Sequence, residues 1–368
     1  MKIALVHDYI KEYGGAERVL EVLHEMYPTA PIYTSLYLPE FLGPHKDRFT
    51  SWNIKQSWFK YIPFKEKLIS PLRLLAPFVF KSFDFSQFDV VIVSATGAYM
   101  PNMIHKKSAR QICYCHTPPR YLYGYATARD WKNNLLFLIL GEIVNHFLRI
   151  LDYISAMNVD VFIANSEEVR SRIHKFYRKD AVVVYPPVYI EYELSPSAKE
   201  GKRHYYLAGG RLARSKGIEI ILDAFINNGK PLKIFGKGFA GFEQELKRKK
   251  YSKNIEFLGE ITDKEKINLM RDAKAFIFAA YDEDFGITPV ESMASGTPVI
   301  AFKSGGVRET VVDRKTGLFY HDNTIAALND TIVEFEKLSF DPEICIKYAK
   351  KYSKENFINK ITKIIQSE

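Results

Sequence analysis

The sequence predicts an α/β protein made of two doubly wound halves, and three observations carry that expectation. At 368 residues the chain exceeds what a single hydrophobic core usually fills, so it should divide. Short apolar runs bounded by glycine, proline and polar residues alternate with longer stretches whose apolar residues recur at helical spacing. Most runs are apolar on both faces, as strands of a parallel sheet covered by helices on each side must be. Pro186-Pro187 and the polar run Ser195 to Arg203 break the rhythm before it resumes, which places the linker there.

In the first half, Lys2 to Asp8 reads as a buried strand. A loop with Gly14-Gly15 follows, then a helix from Ala16 to Met26 with Val19, Leu20, Val22, Leu23 and Met26 along one stripe. Strand, glycine pair and helix is a layout that lets backbone approach a diphosphate closely. It is not the dinucleotide fingerprint, because a third glycine is missing and the loop is too long, and no P-loop sequence occurs. Further strands are predicted at Asp89 to Ser94, Gln111 to Cys115, Val161 to Ala164 and Ala181 to Tyr185. His116 falls just past one of them and is followed by Thr117-Pro118-Pro119-Arg120, so its ring could point into a crevice or be a satisfied core histidine. Asn165-Ser166-Glu167-Glu168 reads as a helix cap with acids in the first turn.

In the second half, Tyr205 to Ala208 is a strand that ends in Gly209-Gly210-Arg211-Leu212, and Ser215-Lys216-Gly217 opens a helix through Phe225. Arg211 and Lys216 thus stand where a strand hands over to a helix N-terminus, which suits phosphate oxygens: a planar fork, a point charge and spare N–H groups. Strands at Leu232 to Phe235, Ile255 to Leu258, Ala275 to Phe278 and Pro298 to Phe302 continue the sheet. Helices are predicted at Phe242 to Lys250, Asp263 to Asp272, Pro289 to Ala294, Thr324 to Leu338 and from Pro342 to the end. Between the strand ending near Ala280 and its following helix lies Tyr281-Asp282-Glu283-Asp284-Phe285-Gly286-Ile287-Thr288-Pro289-Val290-Glu291, with two carboxylates, Glu283 and Glu291, flanking a glycine turn. Thr288 is the expected N-cap, with Pro289 first in the helix, and the N–H groups of Gly286, Ile287 and Thr288 are expected to face the strand ends. Glu291 could complete a capping box or meet hydroxyls, and Glu283 could be a solvated loop acid or a ligand. Ser304-Gly305-Gly306 adds one more turn with exposed backbone.

The formal net charge of +9 asks for a partner. Between Trp52 and Phe83, Lys55, Lys60, Lys65, Lys67, Arg73 and Lys81 interleave with Trp58, Phe59, Tyr61, Phe64, Leu68, Leu72, Leu75, Phe78 and Phe80 against the single acid Glu66. That mixture fits a segment lying on an anionic membrane surface. No nucleic-acid reader motif accompanies the charge. No apolar run is long enough to span a bilayer, and the run after Lys2 is too short for a signal peptide. Cys113, Cys115 and Cys345 cannot make a disulfide framework and read as core thiols of a cytoplasmic protein.

With these residues in view, the chain resembles the retaining glycosyltransferases of family 4. The resemblance rests on Glu283-x7-Glu291, on Gly210-Arg211-Leu212 through Lys216-Gly217, and on Gly14-Gly15-Ala16-Glu17-Arg18. His7-Asp8-Tyr9 and Cys115-His116-Thr117-Pro118-Pro119-Arg120 further resemble bacterial mannosyltransferases of O-antigen and exopolysaccharide assembly. The resemblance implies the GT-B architecture, two Rossmann-like domains facing across a cleft. Residues 1–187 would form an acceptor-binding domain and 188–349 a nucleotide-sugar-binding domain, with a C-terminal helix over about 350–368 packing back on the first. It implies that Arg211 and Lys216 neutralise the donor diphosphate without a metal or other cofactor. Glu291 would take the ribose hydroxyls, and Glu283 with the N–H groups of Phe285, Gly286, Ile287 and Thr288 the sugar ring. Gly14 and Gly15 would approach the diphosphate, His116 would lie near the transferred sugar, and Arg120 could touch a carrier phosphate. The implied donor is GDP-mannose, with UDP-sugars as rivals, and the implied acceptor a polyprenyl-diphosphate-linked saccharide at the inner face of the membrane. A nucleotide-sugar 2-epimerase of the same architecture is the rival enzyme class.

Overall fold

The computed structural model describes residues 1–125, 135–190, 203–238 and 252–367. The helix expected at Phe242 to Lys250 and most of the expected linker lie outside them. The chain forms two compact units. One takes in residues up to Pro187 together with the C-terminal segment from Lys354, and the other runs from Val188 to Ser353.

In the first unit, β1 (Ile3–His7), β2 (Ile32–Thr34), β3 (Ile54–Gln56), β4 (Val90–Ala95), β5 (Arg110–Cys115), β6 (Val161–Ala164) and β7 (Ala181–Val183) form a parallel sheet in the order β3-β2-β1-β4-β5-β6-β7. Alternation along β1 sends Ala4 and Val6 into one apolar layer and Ile3 and Leu5 into the other, so the strand is buried on both faces. The second layer is completed by the helix Lys354–Gln366, through Phe357, Ile361 and Ile365. Burying each such side chain contributes about 1.5–3 kcal/mol.

In the second unit, β8 (Tyr205–Gly209), β9 (Leu232–Phe235), β10 (Ile255–Gly259), β11 (Ala273–Phe278), β12 (Val299–Phe302) and β13 (Gly317–Tyr320) are parallel in the order β10-β9-β8-β11-β12-β13. This unit extends to Ser353 rather than ending at 349. Tyr352 is buried, its ring meets Phe285 edge-on at 5.5 Å and its carbonyl accepts the Val188 N–H.

In both sheets the chain winds outward one way and then returns to the other side of its first strand. The reversals fall between β1 and β4 and between β8 and β11, and in open parallel sheets ligands bind at the carboxyl ends of such neighbours. Strands β2, β3 and β13 have no counterpart in the sequence reading. At three or four residues each they are too short to show a period.

Two surfaces of the first unit expose large apolar side chains. The basic, aromatic stretch after Trp52 folds into short 3-10 turns around the four-residue helix Ala76–Val79. Phe59, Leu72 and Phe80 are core, whereas Tyr61, Phe64 and Phe78 are 77%, 71% and 63% exposed. The helix Leu135–Met157 also turns Ile143, Val144, Phe147, Ile150 and Ile154 outward, a stripe at helical spacing that the sequence reading did not single out. Among the described residues no helix is long and apolar enough to cross a membrane.

Candidate active site

The carboxyl ends of β8 and β11 bring the predicted charged residues together in the second unit. The loop after β8 is tied to the loop after β11 by the N–H of Tyr281, which donates to the Ser215 carbonyl at 3.1 Å. On the other side, the Ser304-Gly305-Gly306 turn holds the acidic loop. Asp282 N–H donates to Ser304 Oγ at 3.1 Å, and Gly306 N–H donates to the Glu283 carbonyl at 2.8 Å. Gly305 sits at φ +64°, and a Cβ there would stand 2.2 Å from that same carbonyl oxygen, so only glycine allows the approach. This turn therefore braces the acidic loop, which is more than the open backbone the sequence suggested.

So held, Glu283 meets Lys216, with Nζ 2.5 Å from Oε2 and the side chains 30% and 15% exposed for lysine and glutamate. Lys216 immediately precedes Gly217, the N-cap of the helix Ile218–Asn228. Arg211 lies on the same loop, is exposed, and is followed by Leu212, which bridges to Gly238.

The helix after the acidic loop departs from expectation. It spans Ile287–Ala294 with Gly286 as N-cap at φ +83°, so Thr288 is its second residue and Pro289 its third. Glycine enters the left-handed region cheaply and lets the chain turn into the helix earlier than a threonine cap would. Glu291 is accordingly no partner in a capping box. Its Oε1 lies 2.7 Å from Nζ of Lys266, both side chains 11% exposed, and Lys266 also reaches Asp263 at 3.5 Å. Lys266 was not singled out in the sequence. The first-turn N–H groups of Ile287 and Thr288 have no preceding turn to bond to, and Phe285 is a buried residue of the loop.

The first unit gathers a different set at the ends of β1, β4 and β5. His116 N–H donates to the Ala95 carbonyl at 2.8 Å, and its own carbonyl accepts from Asn165 Nδ2 at 2.9 Å. The residue after Asn165 is the cap of the helix Glu167–Tyr177, as the sequence suggests, with Ser166 Oγ accepting from Val169 N–H. The His116 ring is turned inward and 8% exposed, with Nε2 2.9 Å from Ser94 Oγ, in contrast to a ring projecting into open space. Burial lowers its pKa to about 3, so the ring is neutral at physiological pH. Ser94 Oγ is also 3.0 Å from His7 Nδ1, and His7 Nε2 faces Glu17 Oε1 at 3.5 Å.

Beside them Asp8 is fully buried, its carboxylate accepting from the Thr96 N–H and hydroxyl and from Tyr99 N–H. Gly14 caps the helix Gly15–Met26 in extended backbone, so any value the glycine pair has lies in its missing side chains, not in a special φ. Arg120 is half-buried, and its carbonyl accepts from Tyr123 and Tyr125 N–H. Ser94 is not singled out in the sequence, Asn165 is read there only as part of a helix cap, and His7, Asp8 and Glu17 stand in its motifs without a role at the site. The available signal was His7-Asp8 at a strand's carboxyl end.

Comparison with known proteins follows this division. The family described as Glycosyltransferase Family 4 matches residues 13–192, and that described as glycosyl transferases group 1 matches residues 190–352. The alpha-1,3/1,6-mannosyltransferase ALG2 of Dictyostelium discoideum is 26% identical over 313 residues, 73% of this chain and 71% of that protein. ALG2 of Kluyveromyces lactis is 27% identical over 278 residues, 62% of this chain and 53% of that protein, so the match spans only about half of that relative's length. Among solved structures, Anabaena HepE in complex with UDP and glucose aligns over 100% of both chains with a TM-score of 0.69 at 18% identity, a likeness of fold that is GT-B.

Proposed function

The chain belongs to glycosyltransferase family 4, and from that premise we propose that it transfers mannose from GDP-mannose to a polyprenyl-diphosphate-linked oligosaccharide, with retention of configuration, in cell-surface polysaccharide assembly. The observation that carries this is the Lys216–Glu283 pair at the reversal between β8 and β11, on the loop that also bears Arg211. Lys216 and Arg211 take the diphosphate and stabilise the charge that grows as the sugar leaves, a task that fixed cations perform without a metal. Glu283, released from Lys216, accepts from sugar hydroxyls, the first-turn N–H groups of Ile287 and Thr288 add donors, and Glu291 takes the ribose. The acceptor oxygen bonds to the anomeric carbon as the carbon–oxygen bond to the phosphate breaks on the same face, and the departing phosphate takes the acceptor's proton. A glycosyl adduct trapped on Glu283 would replace this with double displacement.

Mannose as the sugar is supported by the two mannosyltransferase relatives. A UDP-sugar donor is the second candidate, because the HepE structure contains UDP and glucose. The lipid-linked acceptor and peripheral attachment to the inner membrane face are supported by the exposed Tyr61, Phe64 and Phe78 amid lysines and by the outward stripe on the helix Leu135–Met157. Thermal unfolding with a panel of GDP- and UDP-sugars tests the donor, since a ligand of the native state raises the midpoint by mass action. GDP-mannose should give the largest rise. A larger rise with a UDP-sugar would reassign the donor, and none with any of them would remove the site.

A further inference from the structure

The buried polar side chains of the first unit form a line whose hydrogens can be assigned. Glu17 lies 5% exposed in the first turn of its helix, with Oε2 accepting the Gly14 N–H at 2.9 Å. Burial opposes its ionisation, but the contacts with His7 and with backbone N–H groups outweigh burial and leave the carboxyl below its ordinary value. Its other oxygen faces His7 Nε2, a fully buried atom with no hydrogen-bond partner at closer range. With the His7 ring neutral, that carboxylate would hold its proton on Nε2, because a lone pair turned toward it would be repelled. His7 Nδ1 is then an acceptor and takes the single hydrogen of Ser94, 3.0 Å away. With its hydrogen committed, the Ser94 oxygen can only accept, and the group opposite it is His116 Nε2 at 2.9 Å.

We propose that Glu17, His7 and Ser94 are positioning residues that fix His116 as the Nε2–H tautomer, leaving Nδ1 as a hydrogen-bond acceptor for a hydroxyl of the transferred sugar or the acceptor saccharide. This rests on His116 meeting substrate in the proposed reaction. No net proton moves along the line; its effect is to disfavour the tautomer that would present a donor at Nδ1, so that a substrate hydroxyl there donates. A histidine held in the wrong tautomer loses most of its function while its geometry is intact. Without the line the two neutral tautomers would compete, and a ring free to change between them also changes orientation.

The test combines a spectroscopic and a kinetic readout on the full chain. Nitrogen-15 spectra of histidine-labelled protein, with the His116 signals assigned by their loss in His116→Gln, should show the Nε2–H tautomer in the wild type. Ser94→Ala should give a mixture of tautomers and lower kcat about tenfold or more, with the KM for the nucleotide sugar changed less than about twofold. Ser94→Thr, which keeps the hydroxyl, should restore the tautomer. Glu17→Gln, which can still accept from Gly14 N–H, should shift it partway. An Nδ1–H tautomer in the wild type, or an unchanged Nε2–H signal in Ser94→Ala, would overturn the proposal. The spectra read the tautomer whether or not a sugar is transferred, so a protein without transferase activity would fail the proposed function and leave this measurement standing.

Discussion

Lys216 Nζ lies 2.5 Å from Glu283 Oε2, although the two residues are 67 positions apart. The pair joins the loops after β8 and β11, and in the proposed reaction it must open. A diphosphate competes with the carboxylate for the lysine, while the freed carboxylate turns to the sugar. Glu283→Ala should therefore lower kcat by about 10²–10³-fold and leave affinity for the free nucleoside diphosphate unchanged or improved. Lys216→Ala and Arg211→Ala should weaken that affinity about tenfold or more as well as turnover. Calorimetric titration beside steady-state kinetics separates these patterns, and small, equal effects from all three would remove the assignment.

The acidic loop depends on Gly305, where an added Cβ would meet the Glu283 carbonyl at 2.2 Å. Gly229 has a similar φ of +70° with nothing within 4 Å of an added Cβ. Gly229→Ala should thus cost only the left-handed backbone penalty, about 1–2 kcal/mol. Gly305→Ala should cost a further 1–3 kcal/mol or so and depress turnover by moving Glu283. Denaturant midpoints and kcat measured side by side decide it, and equal stability losses with full activity would refute the bracing role.

Asp152 accepts from the hydroxyls of Tyr123 and Tyr177 at 2.8 and 2.9 Å, and burial raises its carboxyl to about 6. Below about pH 4 both folded and unfolded chains hold this proton and its contribution is complete. As pH rises from about 4 to 6 the unfolded chain ionises first, so stability falls, on the order of 2–3 kcal/mol from this group. Asp152→Asn should lack that loss and gain on the wild type across the window. A stability difference between the two proteins that stays constant from pH 4 to 7 would contradict the assignment.

The outward Phe64 and Phe78, with Phe147 on the helix Leu135–Met157, are offered as the membrane-facing anchors. Replacing all three by serine should reduce binding to vesicles of anionic lipid about tenfold or more while leaving the unfolding midpoint nearly unchanged, because exposed side chains contribute little to the fold. Cosedimentation measures it. Binding that survives the triple change would place attachment elsewhere or on charge alone.

Much of the second unit could be read in advance because its signals are local. The strand before Tyr281, the acidic loop and the helix after it follow one another within about twenty residues, and periodicity and turn chemistry act on that scale. What escaped is what the sheet brings from afar. Lys266 reaches Glu291 from the preceding helix, and Ser94 meets His7 and His116 only because β4 lies between β1 and β5. The cap at Gly286 in place of Thr288 shows a local rule overridden by a cheaper one, since both residues satisfy sequence preferences and only the backbone path decides. In the aromatic stretch after Trp52 composition alone does not tell core from surface residues; packing divides them, burying Phe59, Leu72 and Phe80 and exposing Tyr61, Phe64 and Phe78.

In the proposed reaction Lys216 and Arg211 form a cationic grip on the donor, with Glu283 on the sugar, and no metal takes part. Its most direct test is transfer of labelled mannose from GDP-mannose to a polyprenyl-diphosphate-linked oligosaccharide by the purified protein in excess chelator. Full turnover is expected with chelator present, with an α-linked product from the α-linked donor and collapse of turnover in Glu283→Ala. Activity that requires added magnesium or manganese, or a Glu283→Ala protein that transfers at the wild-type rate, would contradict it.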